Sequence, residues 1–374
     1  MLKKTPLYES HIELSAKMVD FAGWEMPMLY SSIIEEHMKV RNSCGMFDVS
    51  HMGDILIKGN SSKTLLSSIL TNNIELATDG KGIYSHLLRP NGTIIDDVIV
   101  YKLRTDEYLL VPNASTKDVV LDWIENHNQE AEIIDLSNNL ACIALQGPMA
   151  ETILQRLTEY DLKGIGRFKF ALIELNLSVE EQNSMRLLFP DNEFKSLACM
   201  ACRTGYTGED GFELIIESEH SPKLWKSLLQ IGGEELSPAG LGCRDTLRLE
   251  KGMLLSGTDF NDNRSSIETG PRWVVKFDHE FIGRNVVEAQ VDDPELNVLV
   301  GIVLDEKGIP RQGHPIMKDE KVIGEVTSGT ISPVLKKGIA LGFVPRRFSR
   351  KDERVQIDVR GKLLEGRVVK MPFV

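Results

Sequence analysis

Along the 374-residue chain, apolar positions recur at helical spacing in some stretches and alternate with polar ones in others. Residues 31–44, SSIIEEHMKVRNSC, carry Ser32 with Glu35 three positions on, a capping-box pattern, and Gly45 stands as a C′ stop. A helix is predicted there. Residues 49–59 read as a strand and residues 61–70 as a short helix. A hairpin follows: 82–88, the turn Arg89-Pro90-Asn91-Gly92, then 93–103, with Asn-Gly supplying positive φ. A second turn, 104–107, leads into YLLVPN, and Ser115 is read as the cap of a helix running to about His127. The span 51–138 therefore reads as a compact α+β unit.

Further on, 141–146 forms a buried strand, and Gly147-Pro148 is expected to start a helix reaching about Leu157. Strands are expected near 168–176, 184–190 and 196–203. A glycine-rich turn at 204–211 feeds another strand, and helices are predicted over 221–231 and 239–251. From 298 the chain breaks into short strands split by Gly, Pro, Ser and Asn, the spacing of a small β-barrel or sandwich.

Composition narrows the function classes. A 42% hydrophobic content supports sizeable cores, so wholesale disorder is excluded. The net charge of −12 argues against broad nucleic-acid binding. That charge is uneven: residues 321–374 hold twelve Lys/Arg against five Asp/Glu, so this segment is +7 and residues 1–320 carry −19. No secretory signal or membrane span is read from the sequence, and five cysteines, an odd count, suggest reduced thiols in a cytoplasmic setting. Cys199 and Cys202 have CxxC spacing, but no second ligand pair lies nearby, so no metal site is expected. On a strand the two thiols point to opposite faces.

Three groups stand out chemically. Asp96 and Asp97 lie inside an apolar strand, where alternation sends one to each face. A carboxylate among Ile and Val is costly unless bonded or used, although an edge-strand ion pair is an equal reading. Glu213, two residues after Gly211, is likewise an acid in an apolar strand. Arg244 and Arg248 share a helix face at i,i+4, either as a clamp for an anionic group or as an ion-pair network with Asp245 and Glu250. The loop 203–211 lacks phosphate-loop order, and no histidine has a Ser or Cys partner that supports a triad.

Taken together, the segments 5–28, VRNSCGMFDVSHMGDI (40–55), GTIIDDVIVYK (92–102), ALQGPMA (144–150), RTGYTGEDGFEL (203–214), PAGLGCRDTLRLE (238–250) and 324–345 resemble the aminomethyltransferases of the glycine cleavage system, the T-protein family, along essentially the whole chain. The resemblance implies an α+β fold of three domains in a cloverleaf around a folate cavity, with a C-terminal β-barrel. The expected division is 1–50 plus 139–280 as a discontinuous folate-binding domain, 51–138 as an inserted domain, and 281–374 as the barrel. It implies transfer of a one-carbon unit from the aminomethylated lipoyl arm of H-protein to tetrahydrofolate, with release of ammonia and formation of 5,10-methylenetetrahydrofolate. Tetrahydrofolate is thus the implied co-substrate, and lipoylated H-protein, typically acidic, the implied transient partner. By position, Asp97 matches the family's essential acid, Glu213 the carboxylate at the pterin edge, and Arg244 a ligand-contacting arginine. Met52, Tyr84, Tyr101, Val111, Asn113 and Tyr206 match the cavity lining. Met253, Ser256 and Arg167 depart from the usual pattern. A tetrahydrofolate-dependent demethylase of the same superfamily is the alternative. The folate-binding iron–sulfur maintenance factors use a Lys-Gly-Cys-Tyr signature, whereas here Lys251-Gly252 precedes Met253.

Overall fold

The computed structural model describes residues 1–374, the side chain at position 272 aside. The chain divides into two units: residues 1–66, 74–84 and 98–244 form the first, and 67–73, 85–97 and 245–374 the second.

The first unit is built on a six-stranded sheet in the order Phe170–Leu175, Leu197–Cys202, Gly211–Glu217, Leu140–Gln146, Cys44–Asp48, Leu236–Pro238, antiparallel except for its last pair. Strand alternation gives the sheet two different faces. On one, Cys199, Phe212, Leu214, Ile143 and Leu145 pack against Trp225 and Leu228 of the helix Ser221–Gly232. On the other, Cys202, Met200 and Ile215 pack with Tyr101, Leu109 and Leu56. The two thiols at CxxC spacing therefore enter separate cores, as alternation predicts.

A five-stranded sheet runs in the order Lys81–Leu88, Ile94–Arg104, Glu107–Val111, Ile55–Lys58, Glu132–Asp135. The predicted hairpin is present, with Gly92 at φ +81° and its N–H donating to Arg89 O. In the second unit, six strands close into a barrel: Asn297–Leu304, Gly338–Pro345, Lys321–Ile331, Pro315–Lys318, Arg354–Val359, Lys362–Val369. Its interior is filled by Val300, Ile302, Ile316, Val326, Ile357 and other apolar side chains. The expected α+β class and barrel are thus found, and closure removes exposed sheet edges. Among the described residues, no helix is long and apolar enough to cross a membrane.

Several local expectations are corrected. The helix Ile33–Asn42 starts as read, with Ser32 Oγ accepting from Glu35 N at 3.2 Å, but Ser43 ends it. Gly45 lies in the next strand, where a Cβ would come within 2.3 Å of Val40 Cγ2. Residues 49–54 are not strand. Asp48 Oδ1 accepts from Ser50 N at 2.9 Å and turns the chain, so pairing resumes only at Ile55. Asp48 Oδ2 accepts from Thr5 Oγ1 at 2.6 Å and from His11 Nε2 at 2.9 Å. Burial pushes the Asp48 carboxyl up, but these hydrogen bonds outweigh it and hold it below its ordinary value. The expected Ser115 cap falls instead at Thr116, before Lys117–His127. The helix after Gly147-Pro148 begins only at Ala150; Gly147 is at φ +132°, outside the helical region, and a Cβ there would fall 2.4 Å from Ser43 O and 2.6 Å from Val40 O.

The segment read as strand 184–190 is the helix Asn183–Leu188. Glu217 reaches it from a distant strand: its carboxylate accepts from Ser184 N (2.9 Å), Ser184 Oγ (2.8 Å) and Met185 N (3.2 Å). A carboxylate at a helix N-terminus satisfies donors that the helix itself leaves open.

Candidate active site

The second face of the six-stranded sheet carries the first group of polar residues. Glu213 sits opposite Cys202 on one side and Ala144 on the other. Being at an odd position of its strand, it points away from the Phe212–Leu214 core and is half-buried. Thr204 Oγ1 donates to Glu213 Oε2 at 2.5 Å, and Tyr101 OH lies 3.0 Å from the same Oγ1. The single hydroxyl proton of Thr204 is committed to the carboxylate, so Tyr101 is the donor of the second bond. Burial keeps the Tyr101 phenol well above its usual range, so it stays protonated. Gly82 makes room for this ring: a Cβ there would lie 2.7 Å from Tyr101 Cε1.

Thr204, at the head of the glycine-rich turn, is held by its backbone from the neighbouring strand. Gln146 Nε2 donates to Thr204 O at 3.0 Å, and Gln146 Oε1 accepts from Thr207 Oγ1 at 2.9 Å. One amide thus ties Thr204 to Thr207 within the turn. Gly205 must be glycine for this contact, since a Cβ would fall 1.9 Å from Gln146 Oε1. Arg41 Nη1 adds a bond to Thr207 O at 2.7 Å and pairs with Glu209 at 2.7 Å.

Arg244 closes the group. Its guanidinium lies 4.7 Å from the Tyr206 ring centroid. Its Nη1 is buried with no hydrogen-bond partner among the described residues. Burial lowers its pKa, while the negative charge of Glu213 works the other way. A buried guanidinium N–H without an acceptor is costly, and a ligand oxygen or ring nitrogen would satisfy it. His51 lies nearby, its Nδ1 equally unpartnered, and burial together with Arg244 drops its pKa to about 4. The imidazole is therefore neutral near pH 7.

The remaining lining residues of this unit fall on three segments. Met52 is half-buried in the bend after Asp48, and Gly53 N donates to Pro112 O at 3.1 Å, fastening that bend to Val111–Asn113. Val111, Asn113 and Tyr84 are half-buried. Asp97 belongs to the second unit. There Asp96 is fully buried and accepts from Ser256 Oγ at 2.9 Å, while Asp97, on the opposite face of the strand, is half-buried.

The two arginines of Leu241–Glu250 have different surroundings. Arg248 is buried and bonded to Asp245 (2.8 Å), Asp259 (2.5 Å), Ser328 (2.7 Å) and Met253 O (3.0 Å). It serves the internal network, not a ligand clamp. Among the described residues no cluster of His, Cys, Asp and Glu is arranged to hold a metal ion. Thr204, Gln146 and Arg41 were not singled out as functional from the sequence.

Comparison with known proteins fixes the class. Residues 7–279 match the family model described as the GCVT N-terminal domain, and residues 297–374 match the glycine cleavage T-protein C-terminal barrel domain. The chain is 41% identical over 376 residues to the aminomethyltransferase of Halothermothrix orenii, covering 100% of both chains. It is 42% identical over 375 residues to that of Thermotoga maritima, covering 100% of this chain and 98% of the relative. The solved glycine cleavage system aminomethyltransferase T from Bartonella henselae superposes with a TM-score of 0.88 at 30% identity, over 100% of this chain and 98% of that one. Fold and similarity define a one-carbon transferase. The chain belongs to the glycine cleavage T-protein family, the aminomethyltransferases.

Proposed function

We propose that the first unit binds the pterin of tetrahydrofolate through Glu213 and Arg244, and that Asp97 is the acid on which one-carbon transfer depends. The observation that carries the binding half is the buried, unpartnered Nη1 of Arg244 beside a carboxylate whose orientation is already set by Thr204. Glu213 offers acceptors and Arg244 offers donors, which suits the amino, N–H and carbonyl groups along one edge of a pterin. Tyr206, Tyr84, Met52 and Val111 supply aromatic and apolar walls, and Asn113 an amide. When bound, tetrahydrofolate supplies the nitrogens that accept the carbon. The carbon arrives on the lipoyl arm of H-protein, and ammonia leaves. The direct test is tetrahydrofolate-dependent ammonia release from aminomethylated H-protein. Its absence would sink the reading.

Glu213→Gln turns one acceptor into a donor facing donors, so tetrahydrofolate binding should weaken about tenfold or more. Calorimetric titration measures this, and an unchanged Kd would remove Glu213 from the binding role.

The proposal includes a partner. The +7 charge of residues 321–374 lies in the barrel unit and would steer an acidic protein. Turnover with H-protein should fall as salt rises from about 50 to about 300 mM, across the range where screening sets in. A flat salt response counts against steering.

A further inference from the structure

We infer that Thr204 is a positioning residue for folate recognition, one end of a hydroxyl relay that sets the orientation of Glu213. The inference rests on the proposed folate role of Glu213 and goes beyond it, because Thr204 need not touch the ligand. Three observations carry it. The Thr204 hydroxyl has one proton, which it gives to Glu213 Oε2 at 2.5 Å. One of its acceptor lone pairs takes the Tyr101 OH at 3.0 Å, so the side chain cannot change rotamer without breaking two bonds. Its backbone is clamped by Gln146 through Thr204 O, in a turn where Gly205 lets the amide approach.

The consequence is directional. Glu213 is attached to a strand at only one end of its side chain, and three torsions separate its carboxylate from the backbone. With Oε2 held by Thr204, the carboxylate is anchored at one oxygen and Oε1 is left to receive a ligand donor. Without the hydroxyl, the side chain must be ordered by the ligand itself, which weakens binding. The relay therefore preorganises recognition and takes no part in bond making.

The test uses the full-length protein with Thr204→Val, which keeps shape and removes the hydroxyl, and Thr204→Ser, which restores it. Thr204→Val should raise the tetrahydrofolate Kd and KM about tenfold while kcat changes less than about threefold. Thr204→Ser should lie within about twofold of the parent. A merely structural role would lower the melting temperature without tracking Glu213, so the decisive readout is a double-mutant cycle: Thr204→Val added to Glu213→Gln should cost almost nothing further. If Thr204→Val binds folate like the parent, or its loss adds fully to that of Glu213→Gln, the inference is overturned. If Glu213→Gln itself binds normally, the folate reading of Glu213 falls first and the relay with it.

Discussion

Asp97→Asn should lower turnover by about 10²–10³-fold while tetrahydrofolate binding stays within about threefold of the parent. The substitution preserves shape and removes one negative charge. Asp97 sits half-buried on a strand whose neighbouring positions are Ile, Val and the buried Asp96. At half burial water screens a charge less than at the surface, so in the proposed role a fixed carboxylate there would act on positive charge that develops in the transition state. Transfer of a one-carbon unit from an aminomethyl donor with loss of ammonia passes through such charge. An interaction realised mainly in the transition state reduces kcat when lost and leaves ground-state affinity almost untouched. The measurement is a pair: single-turnover ammonia release and folate titration on the same preparation. Asp96→Asn is the control. Asp96 already accepts from Ser256 on the other face, so its loss should act on stability more than on turnover. Unchanged kcat in Asp97→Asn would end the electrostatic role.

Much of the proposed set of functional residues is legible in the sequence because acids in apolar strands are conspicuous. Asp97 and Glu213 stand out by that rule, and strand alternation separates Asp96 from Asp97 as observed. Arg244 could not be separated from Arg248 by spacing alone. Only the structure shows Arg248 consumed by Asp245, Asp259 and Ser328, with Arg244 Nη1 left over. Thr204 and Gln146 give no sequence signal, since their bonds span 9 and 58 positions and involve backbone as much as side chain. The same kind of distance misleads at Asn183–Leu188. Its run of Met and Leu reads equally as strand, and the element is decided by Glu217, whose carboxylate caps it from 33 residues away. In the barrel, the short strand Pro315–Lys318 escapes a pattern search because four residues with a register shift carry almost no periodicity.

Asp54→Asn should stabilise the protein at pH 8 relative to the parent, and the gain should shrink toward pH 4. Asp54 is buried, only 5% exposed. Its backbone is pinned, with N donating to Ser137 Oγ at 3.0 Å and O accepting from Leu136 N at 2.8 Å. Burial, reinforced by the negative charge of Asp135, raises its pKa from 3.8 to about 7. Asp135 itself stays ionised, because Lys117 at 2.8 Å and Ser137 hold it below its ordinary value. The folded state therefore keeps a proton on Asp54 that the unfolded state releases above about pH 4. Folded stability falls as pH rises through this window and levels off above about 7. A shift of roughly three units corresponds to at most about 4 kcal/mol. Asn has the same shape and no charge, so it escapes the loss. Urea unfolding of both proteins from pH 4 to pH 8 isolates the effect, since every other titrating group is common to the pair and cancels in the difference. A difference that stays constant with pH would show that Asp54 is not held protonated by its surroundings.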